Sequence, residues 1–288
     1  MYKFALSIPD LWLDSPKWEA ASRQAALKRV ELSCNATVMG ARAVRKARQA
    51  ARLEEAGVLE VASVHIPFGA GWSFASPDDE LRREAVDNTL AFLDACKCLN
   101  CKNYTLHTCL EPIAPEERKA SLIGIRKTIA ELLPKVQEMG VSLNLEDLPR
   151  TCLGNTPEEL SEIIDGFPPE YVGVCFDVNH FCNCAERIPS AINMLSSRIR
   201  SFHLSDYDGE DECHWYPGYG RIDWEAVMDA IRRIQQDVLL IFEVSRFLSV
   251  QPRRELHYDL FYRAAKRNIF YLENVRELLS RINAVIID

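Results

Sequence analysis

Short apolar runs alternate along the chain with longer stretches that have helical periodicity. The short runs are rich in Val, Ile, Leu and Phe, which is typical of strands buried on both faces. Eight of them are predicted as strands, at 3–8, 29–35, 58–69, 102–109, 141–148, 171–180, 198–206 and 238–245. Helices are predicted at 38–56, 78–98, 114–138, 223–235 and 253–283, with another beginning within 155–159, where Pro157 suits a first helical turn.

This alternation predicts parallel strands joined by helical crossovers. Both a doubly wound open sheet and a closed barrel have this order of elements. No glycine-rich phosphate loop follows the first strand, and eight strand–helix units are the number that a closed barrel requires. No linker or low-complexity segment interrupts the pattern. We therefore predict an α/β fold, a (β/α)8 TIM barrel, as a single domain over residues 1–288.

The balance of charges argues against one class of partner. The chain has 34 basic and 42 acidic residues, a formal net charge of −8. Proteins that hold nucleic acid through their overall field are usually basic, so no nucleic-acid partner is expected. No apolar run reaches the roughly 18 residues that cross a bilayer, and Pro9, Asp10 and Asp14 interrupt the first apolar stretch. We expect no signal peptide, no membrane attachment and a cytoplasmic location.

Ten cysteines are many for a chain of this kind. The run Cys96, Cys98 and Cys101 suggests a structural metal site, as does the pair Cys182 and Cys184. Structural zinc sites usually combine two well-spaced Cys or His pairs, and no clear second pair is present. Reduced thiols that act as small buried hydrophobic groups are the preferred interpretation.

Polar side chains concentrate where the predicted strands end, and four of the six histidines lie there. In a TIM barrel the active site forms at the C-terminal ends of the strands. A single carboxylate there is more often a helix cap, and a single histidine is more often a core residue. Several carboxylates occur here together, each preceded by apolar residues, and no Lys or Arg residues match them. Such a group of buried carboxylates requires a compensating positive charge. The pattern predicts a divalent cation among His65, His107, Glu146, Asp177, His180, His203 and Glu243.

At these positions the chain resembles the xylose isomerase-like barrel superfamily, which includes sugar isomerases and epimerases, inosose dehydratases and the endonuclease IV class. The resemblance covers nearly the whole chain and is clearest from Val64 onward. Each piece is weak alone, but their order and strand placement are specific. The pieces are Val64-His65, Leu143 to Asp147, Phe176 to His180, Phe202 to Asp206, His214 to Trp224 and Phe242-Glu243.

The resemblance implies that Glu146, Asp177, His203 and Glu243 bind one divalent metal. Three carboxylates and one imidazole suit Mn²⁺, Co²⁺ or Mg²⁺, and Zn²⁺ is a further candidate. In the ketose epimerases, the glutamates at positions 146 and 243 also form the catalytic acid–base pair, which moves a proton through a metal-stabilised enediolate. His180 is expected to hydrogen-bond a substrate oxygen or to orient Asp177 or Glu146.

The sequence leaves other functions open. The resemblance to endonuclease IV makes His65, His107, His180, Glu212 and His214 candidates for additional metals, up to three Zn²⁺ in all, or for substrate binding. An enzyme of that class would be a zinc phosphodiesterase. The negative net charge, and loops after the strands that are not rich in basic residues, argue against it. We therefore favour an isomerase or epimerase with a small carbohydrate substrate, in a chain that could form a homo-oligomer. A dehydratase or lyase acting on a cyclic polyol and a ligand-binding barrel without catalysis are the remaining alternatives.

Overall fold

A computed structural model describes residues 3–10, 13, 19, 29–181, 184–215, 217 and 220–244 of the protein. The predicted helix at 253–283 and Cys182 lie outside these residues. The strands are β1 Lys3–Pro9, β2 Arg29–Asn35, β3 Glu60–Phe68, β4 Asn103–His107, β5 Ser142–Glu146, β6 Val172–Asp177, β7 Ile199–Leu204 and β8 Leu239–Phe242. The helices in the described part are α1 Gly40–Glu55, α2 Asp79–Cys96, α3 Arg118–Met139, α4 Pro157–Ile164, α5 Ile188–Leu195 and α6 Trp224–Arg232.

The eight strands form a closed barrel in sequence order. Each strand pairs in parallel with its successor, and β8 pairs in parallel with β1. This confirms the predicted (β/α)8 TIM barrel. Because all strands run in one direction, their C-terminal ends meet on one face of the barrel. The extent of the domain over residues 1–288 stays a prediction.

Side-chain caps explain where two of the helices begin. The Asp78 carboxylate accepts hydrogen bonds from the backbone N–H groups of Glu80 and Leu81 at the start of α2. The Thr156 hydroxyl accepts one from the backbone N–H of Glu159 at the start of α4, where Pro157 occupies the first turn. These bonds satisfy N–H groups that have no partner within the helix. The predicted starts of these two helices are confirmed.

Two elements differ from the sequence prediction. The sixth strand was predicted to continue to His180, but β6 ends at Asp177 and Val178–His180 form a 3-10 turn. The Asp177 carboxylate caps this turn by accepting a hydrogen bond from the backbone N–H of Asn179 at 2.7 Å. Helix α5 was not predicted, because its eight residues, IPSAINML, form an apolar run too short to show a helical period.

The apolar core combines buried side chains of every strand with buried side chains of the helices. Buried Val, Ile, Leu and Phe side chains from all parts of the barrel form one continuous cluster. None of the described helices combines the length and the low polarity that a membrane-spanning segment needs.

Helix α3 contacts the loop after β3 through a glycine. A Cβ atom at Gly124 would lie 2.8 Å from the backbone oxygen of Ala75 and 3.1 Å from that of Ser76. In an open helix, Gly→Ala would stabilise the protein by up to about 1 kcal/mol. Here the added methyl group would clash with backbone atoms, so the substitution should destabilise the protein instead. We expect Gly124→Ala to lower the free energy of unfolding by about 1–3 kcal/mol.

Urea denaturation measures this effect. Lys119→Ala, at an exposed position of the same helix, is the control and should stay within about 0.5 kcal/mol of the unsubstituted protein. A Gly124→Ala protein as stable as this control would show that α3 can shift away from the loop.

Candidate metal centre

The barrel places the four predicted metal ligands at one end of four consecutive strands. Glu146 ends β5, Asp177 ends β6, His203 is the penultimate residue of β7, and Glu243 follows β8 directly. Asp177 pairs in register with His203 across β6 and β7. Asp177 and His203 have no exposed surface, and Glu146 is 1% exposed. Strand direction and register alone therefore bring these side chains to one buried point.

The central cluster consists of Glu146, Asp177, His203 and Glu243, whose candidate ligand atoms lie within 4.8 Å of one another. The Nδ1 atom of His203 is 3.0 Å from Glu146 Oε1 and 3.2 Å from Glu243 Oε2. The buried Oδ2 atom of Asp177 has no hydrogen-bond partner among the residues that the structure describes, and His180 Nε2 lies 3.4 Å away. A buried carboxylate oxygen in this state fits a cation ligand, since burial without a partner is costly.

The electrostatics of this cluster are those of an anionic pocket. Burial opposes ionisation of Glu146, but His203 and His107 outweigh it and hold the pKa of Glu146 well below its usual value. The pKa of Glu243 is likewise lowered, against burial, mainly by His203. Burial, with Glu243 and Glu146 close by, raises the pKa of Asp177 to about 6. Because three carboxylates compete for limited positive charge, the residues fit a divalent cation.

A second cluster shares Glu146 with the central one and consists of His65, His107 and Glu146. Glu146 Oε2 lies 3.0 Å from His65 Nε2 and 3.3 Å from His107 Nε2, while Oε1 faces His203. His65 lies within β3, three residues before its end at Phe68, and not at the strand end as predicted. Its Nδ1 atom contacts the backbone oxygen of Ile66 at 2.9 Å, which fixes the ring. Glu146 therefore has the geometry of a bridging carboxylate.

The third cluster consists of His180, Glu212 and His214. Glu212 Oε2 is 3.4 Å from His180 Nε2 and 3.6 Å from His214 Nε2. His180 Nδ1 lies 2.6 Å from the backbone oxygen of Asp147, and His180 Nε2 faces Asp177, so this ring both joins the cluster and contacts a central ligand. All nine predicted site residues thus lie in three adjoining clusters.

Arg150 links the third cluster to neighbouring loops. Its guanidinium group pairs with Glu111 at 2.7 Å, with Asp211 at 2.7 Å and with Glu212. The structure thus places this guanidinium group in ion pairs with carboxylates of the protein itself. Glu212 Oε1 is occupied by Arg150, which leaves Oε2 facing the two histidines.

The run Cys96, Cys98 and Cys101 does not join these clusters. Cys96 and Cys101 are buried and Cys98 is exposed, at the end of α2 and in the turn that follows. The Cys101 thiol donates to the backbone oxygen of Asn103 at 3.1 Å. Within the described part of the chain, no cysteine belongs to a group that could hold a metal ion.

One buried acid was missed by the sequence analysis. Glu31 of β2 has no exposed surface and lies 3.0 Å from His203 Nε2. The available signal was a carboxylate directly between Val30 and Leu32 within a predicted strand. Glu31 stands in the middle of its strand, so it does not belong to the pattern of polar residues at strand ends.

Comparison with known proteins agrees with this architecture. The family model described as "Xylose isomerase-like TIM barrel" matches residues 20–258. The uncharacterised protein MJ1311 of Methanocaldococcus jannaschii is 29% identical over 199 residues, which are 67% of each chain. An inosose isomerase of Bacillus velezensis is 26% identical over 184 residues, 60% of this chain and 64% of that protein.

Among solved structures, a D-tagatose 3-epimerase-like protein superimposes with a TM-score of 0.74 at 22% identity, covering 96% of this chain and 99% of that one. At this identity the superposition supports the fold alone. The match of the family model extends over most of the sequence, including every strand from β2 to β8 and all nine residues of the three clusters. The chain therefore belongs to the xylose isomerase-like TIM barrel family.

Proposed function

We propose that this protein is a metal-dependent isomerase or epimerase of a small carbohydrate, such as a ketose, a sugar phosphate or a keto-polyol. The observation that carries the proposal is the central cluster, in which three carboxylates and one imidazole converge at the C-terminal end of the barrel. The similarity to a protein named inosose isomerase supports the same class of chemistry.

A divalent cation bound by these four residues would polarise a substrate carbonyl and stabilise the negative charge that develops when a neighbouring carbon loses a proton. The donor set suits Mn²⁺, Co²⁺, Mg²⁺ or Zn²⁺. Glu146 and Glu243 are the proposed acid–base pair. Their lowered pKa values keep both side chains ionised near neutral pH, so either can accept a proton from carbon.

The two glutamates differ in access to a substrate. The side chain of Glu243 is 24% exposed, whereas that of Glu146 is 2% exposed and has imidazoles at both oxygens. We therefore assign the first proton abstraction to Glu243. Glu146 would return a proton on the other side of the substrate after receiving it from the imidazolium form of His65, whose Nε2 lies 3.0 Å from Glu146 Oε2 and whose pKa the neighbouring carboxylate raises against burial. Phe68, which is 39% exposed and stacks on His107, offers an apolar face for a sugar ring at the entrance.

The second and third clusters favour one alternative, a zinc phosphodiesterase with up to three Zn²⁺. Glu146 could bridge two ions there, with His65 and His107 on one side and His203 on the other. The net charge of −8 disfavours binding to a phosphate backbone. In the isomerase, we propose that these histidines and Glu212 bind substrate hydroxyl groups.

Metal analysis and hydrogen exchange test the two functions together. We expect about one catalytic cation per chain, and solvent deuterium incorporation next to the carbonyl of at least one member of a panel of ketoses, ketose phosphates and inososes in D₂O. About three tightly bound Zn²⁺ per chain, cleavage of an abasic-site oligonucleotide and no exchange in the panel would instead establish the phosphodiesterase. A cyclic polyol that loses water without isomerising would indicate a dehydratase.

A further inference from the structure

Glu31 is a carboxylate fully enclosed by the barrel. It lies in the middle of β2, between Val30 and Leu32 in the sequence, and has no exposed surface. Burial of an ionised carboxylate strongly destabilises the folded state unless other groups compensate its charge. Residues that only fill a barrel interior are normally apolar. An acid at this position therefore calls for a role that an apolar side chain could not perform.

The two oxygens of Glu31 have different partners. Oε2 accepts a hydrogen bond from the Ser63 hydroxyl of β3 at 2.7 Å and one from the Thr105 hydroxyl of β4 at 3.4 Å. These bonds orient the carboxylate from one side. Oε1 points across the barrel to β7, where it lies 3.0 Å from Nε2 of His203.

The contact between Glu31 and His203 joins one carboxylate oxygen to one ring nitrogen. Neither Glu31 Oε1 nor His203 Nε2 has a hydrogen-bond partner of normal geometry among the described residues, so at 3.0 Å each is the other's near polar neighbour. The two atoms interact as charges without meeting the geometry of a hydrogen bond. The opposite ring atom, Nδ1, faces Glu146 and Glu243.

This arrangement determines which ring nitrogen can bind a cation. Nδ1 can offer a lone pair only when the proton of the neutral ring is on Nε2, and a carboxylate beside Nε2 favours that tautomer. We propose that Glu31 is a positioning residue that holds His203 with its proton on Nε2 and its Nδ1 directed at the metal site. The proposal rests on the metal centre of the proposed function and adds to it a residue that does not itself bind metal.

The test uses Co²⁺ as the probe, because its visible spectrum reports its ligands. Its affinity is measured by competition with a chelator for the unsubstituted protein, Glu31→Gln, Glu31→Asp and Ser63→Ala. We expect Glu31→Gln to weaken Co²⁺ binding about 10- to 100-fold and to change the spectrum. Glu31→Asp, which keeps the charge but is shorter, should weaken it less. Ser63→Ala removes one of the two hydroxyl groups that orient Glu31 but keeps its contact with His203, and should weaken binding less than Glu31→Gln.

The outcomes separate this proposal from the function it rests on. If Glu31→Gln binds Co²⁺ as tightly as the unsubstituted protein and with the same spectrum, the role of Glu31 is wrong and the metal centre stands. If the unsubstituted protein binds no Co²⁺, the metal centre is wrong and this role is wrong with it. Thermal unfolding of the metal-free proteins shows whether the variants fold.

If the Glu31 variants do not fold, nitrogen-15 NMR of the metal-loaded, unsubstituted protein tests the ring orientation that the proposal requires. The proposal predicts that the proton of His203 is on Nε2. A proton on Nδ1 would overturn it. This measurement depends neither on a known substrate nor on any substitution at position 31.

Discussion

Replacing either Glu146 or Glu243 with glutamine is expected to lower the rate of substrate proton exchange by at least about 100- to 10,000-fold, the usual contribution of a positioned acid or base. Glutamine has nearly the same shape as glutamate but cannot accept a proton from carbon at neutral pH. The Glu146 variant should be affected further, because this carboxylate faces the imidazoles of His65, His107 and His203 at once. Its loss should also weaken metal binding.

The two glutamate variants should differ in a measurable way. Glu243→Gln is expected to retain a bound cation through the three remaining ligands while losing exchange, whereas Glu146→Gln should lose both. Exchange is measured by the deuterium content of the sugar and metal by elemental analysis. Glu210→Gln, an exposed glutamate in the loop after β7, is the matched control and should leave both unchanged. Unchanged exchange in both site variants would refute the isomerase proposal.

Removal of the metal is expected to have the largest effect on stability. Ligand binding to the folded state alone stabilises it by about 4 kcal/mol when the free ligand is at about a thousand times its dissociation constant. Here the effect has a clear structural cause, because Glu146, Asp177 and Glu243 converge at a buried point. We expect chelator treatment to shift the urea midpoint downward and added Mn²⁺ or Co²⁺ to restore it.

Asp177→Asn is the matched variant for this measurement. It keeps the side-chain shape but removes one ligand charge, so added metal should stabilise it much less. Burial raises the pKa of Asp177 to about 6, which means that the folded, metal-free state disfavours its anion. The stabilising contribution of this group is complete below its unfolded pKa and is lost as the pH rises through about 6.

At pH 7, metal-free Asp177→Asn should therefore be at least as stable as the metal-free unsubstituted protein. The comparison requires urea midpoints for both proteins with and without chelator. The alternative is that Asp177 supports the fold and is not a ligand. In that case Asp177→Asn would have a lower urea midpoint in chelator, and metal would raise this midpoint as much as it does for the unsubstituted protein.

The strand pattern was predictable because strands buried on both faces must be apolar. All eight strands are present, with ends shifted by a few residues. The end of β6 moved because the Asp177 side chain caps the following turn, a local hydrogen bond that an apolar pattern does not record. Helix α5 was missed because a short apolar segment shows no period.

The site could be predicted in outline for a topological reason. In a closed parallel barrel all C-terminal strand ends share one face, so Glu146, Asp177, His203 and Glu243 had to lie near one another once the barrel was accepted. The same reasoning could not divide the histidines into clusters. That division depends on side-chain direction and on the loop that carries Glu212 and His214, whose position is fixed in part by the ion pairs of Arg150.

The sequence by itself thus determined the barrel, the end at which chemistry occurs and the residue types available there, because these follow from periodicity and strand direction. Only the tertiary structure decided that Glu146 is shared between two clusters and that Glu31 contacts His203. Both depend on register and on contacts across the barrel interior between residues far apart in sequence. The pairing of β2 with β3 leaves Ala62 of β3 without an opposite residue, so it could not be inferred from alternation that Ser63 lies beside Glu31.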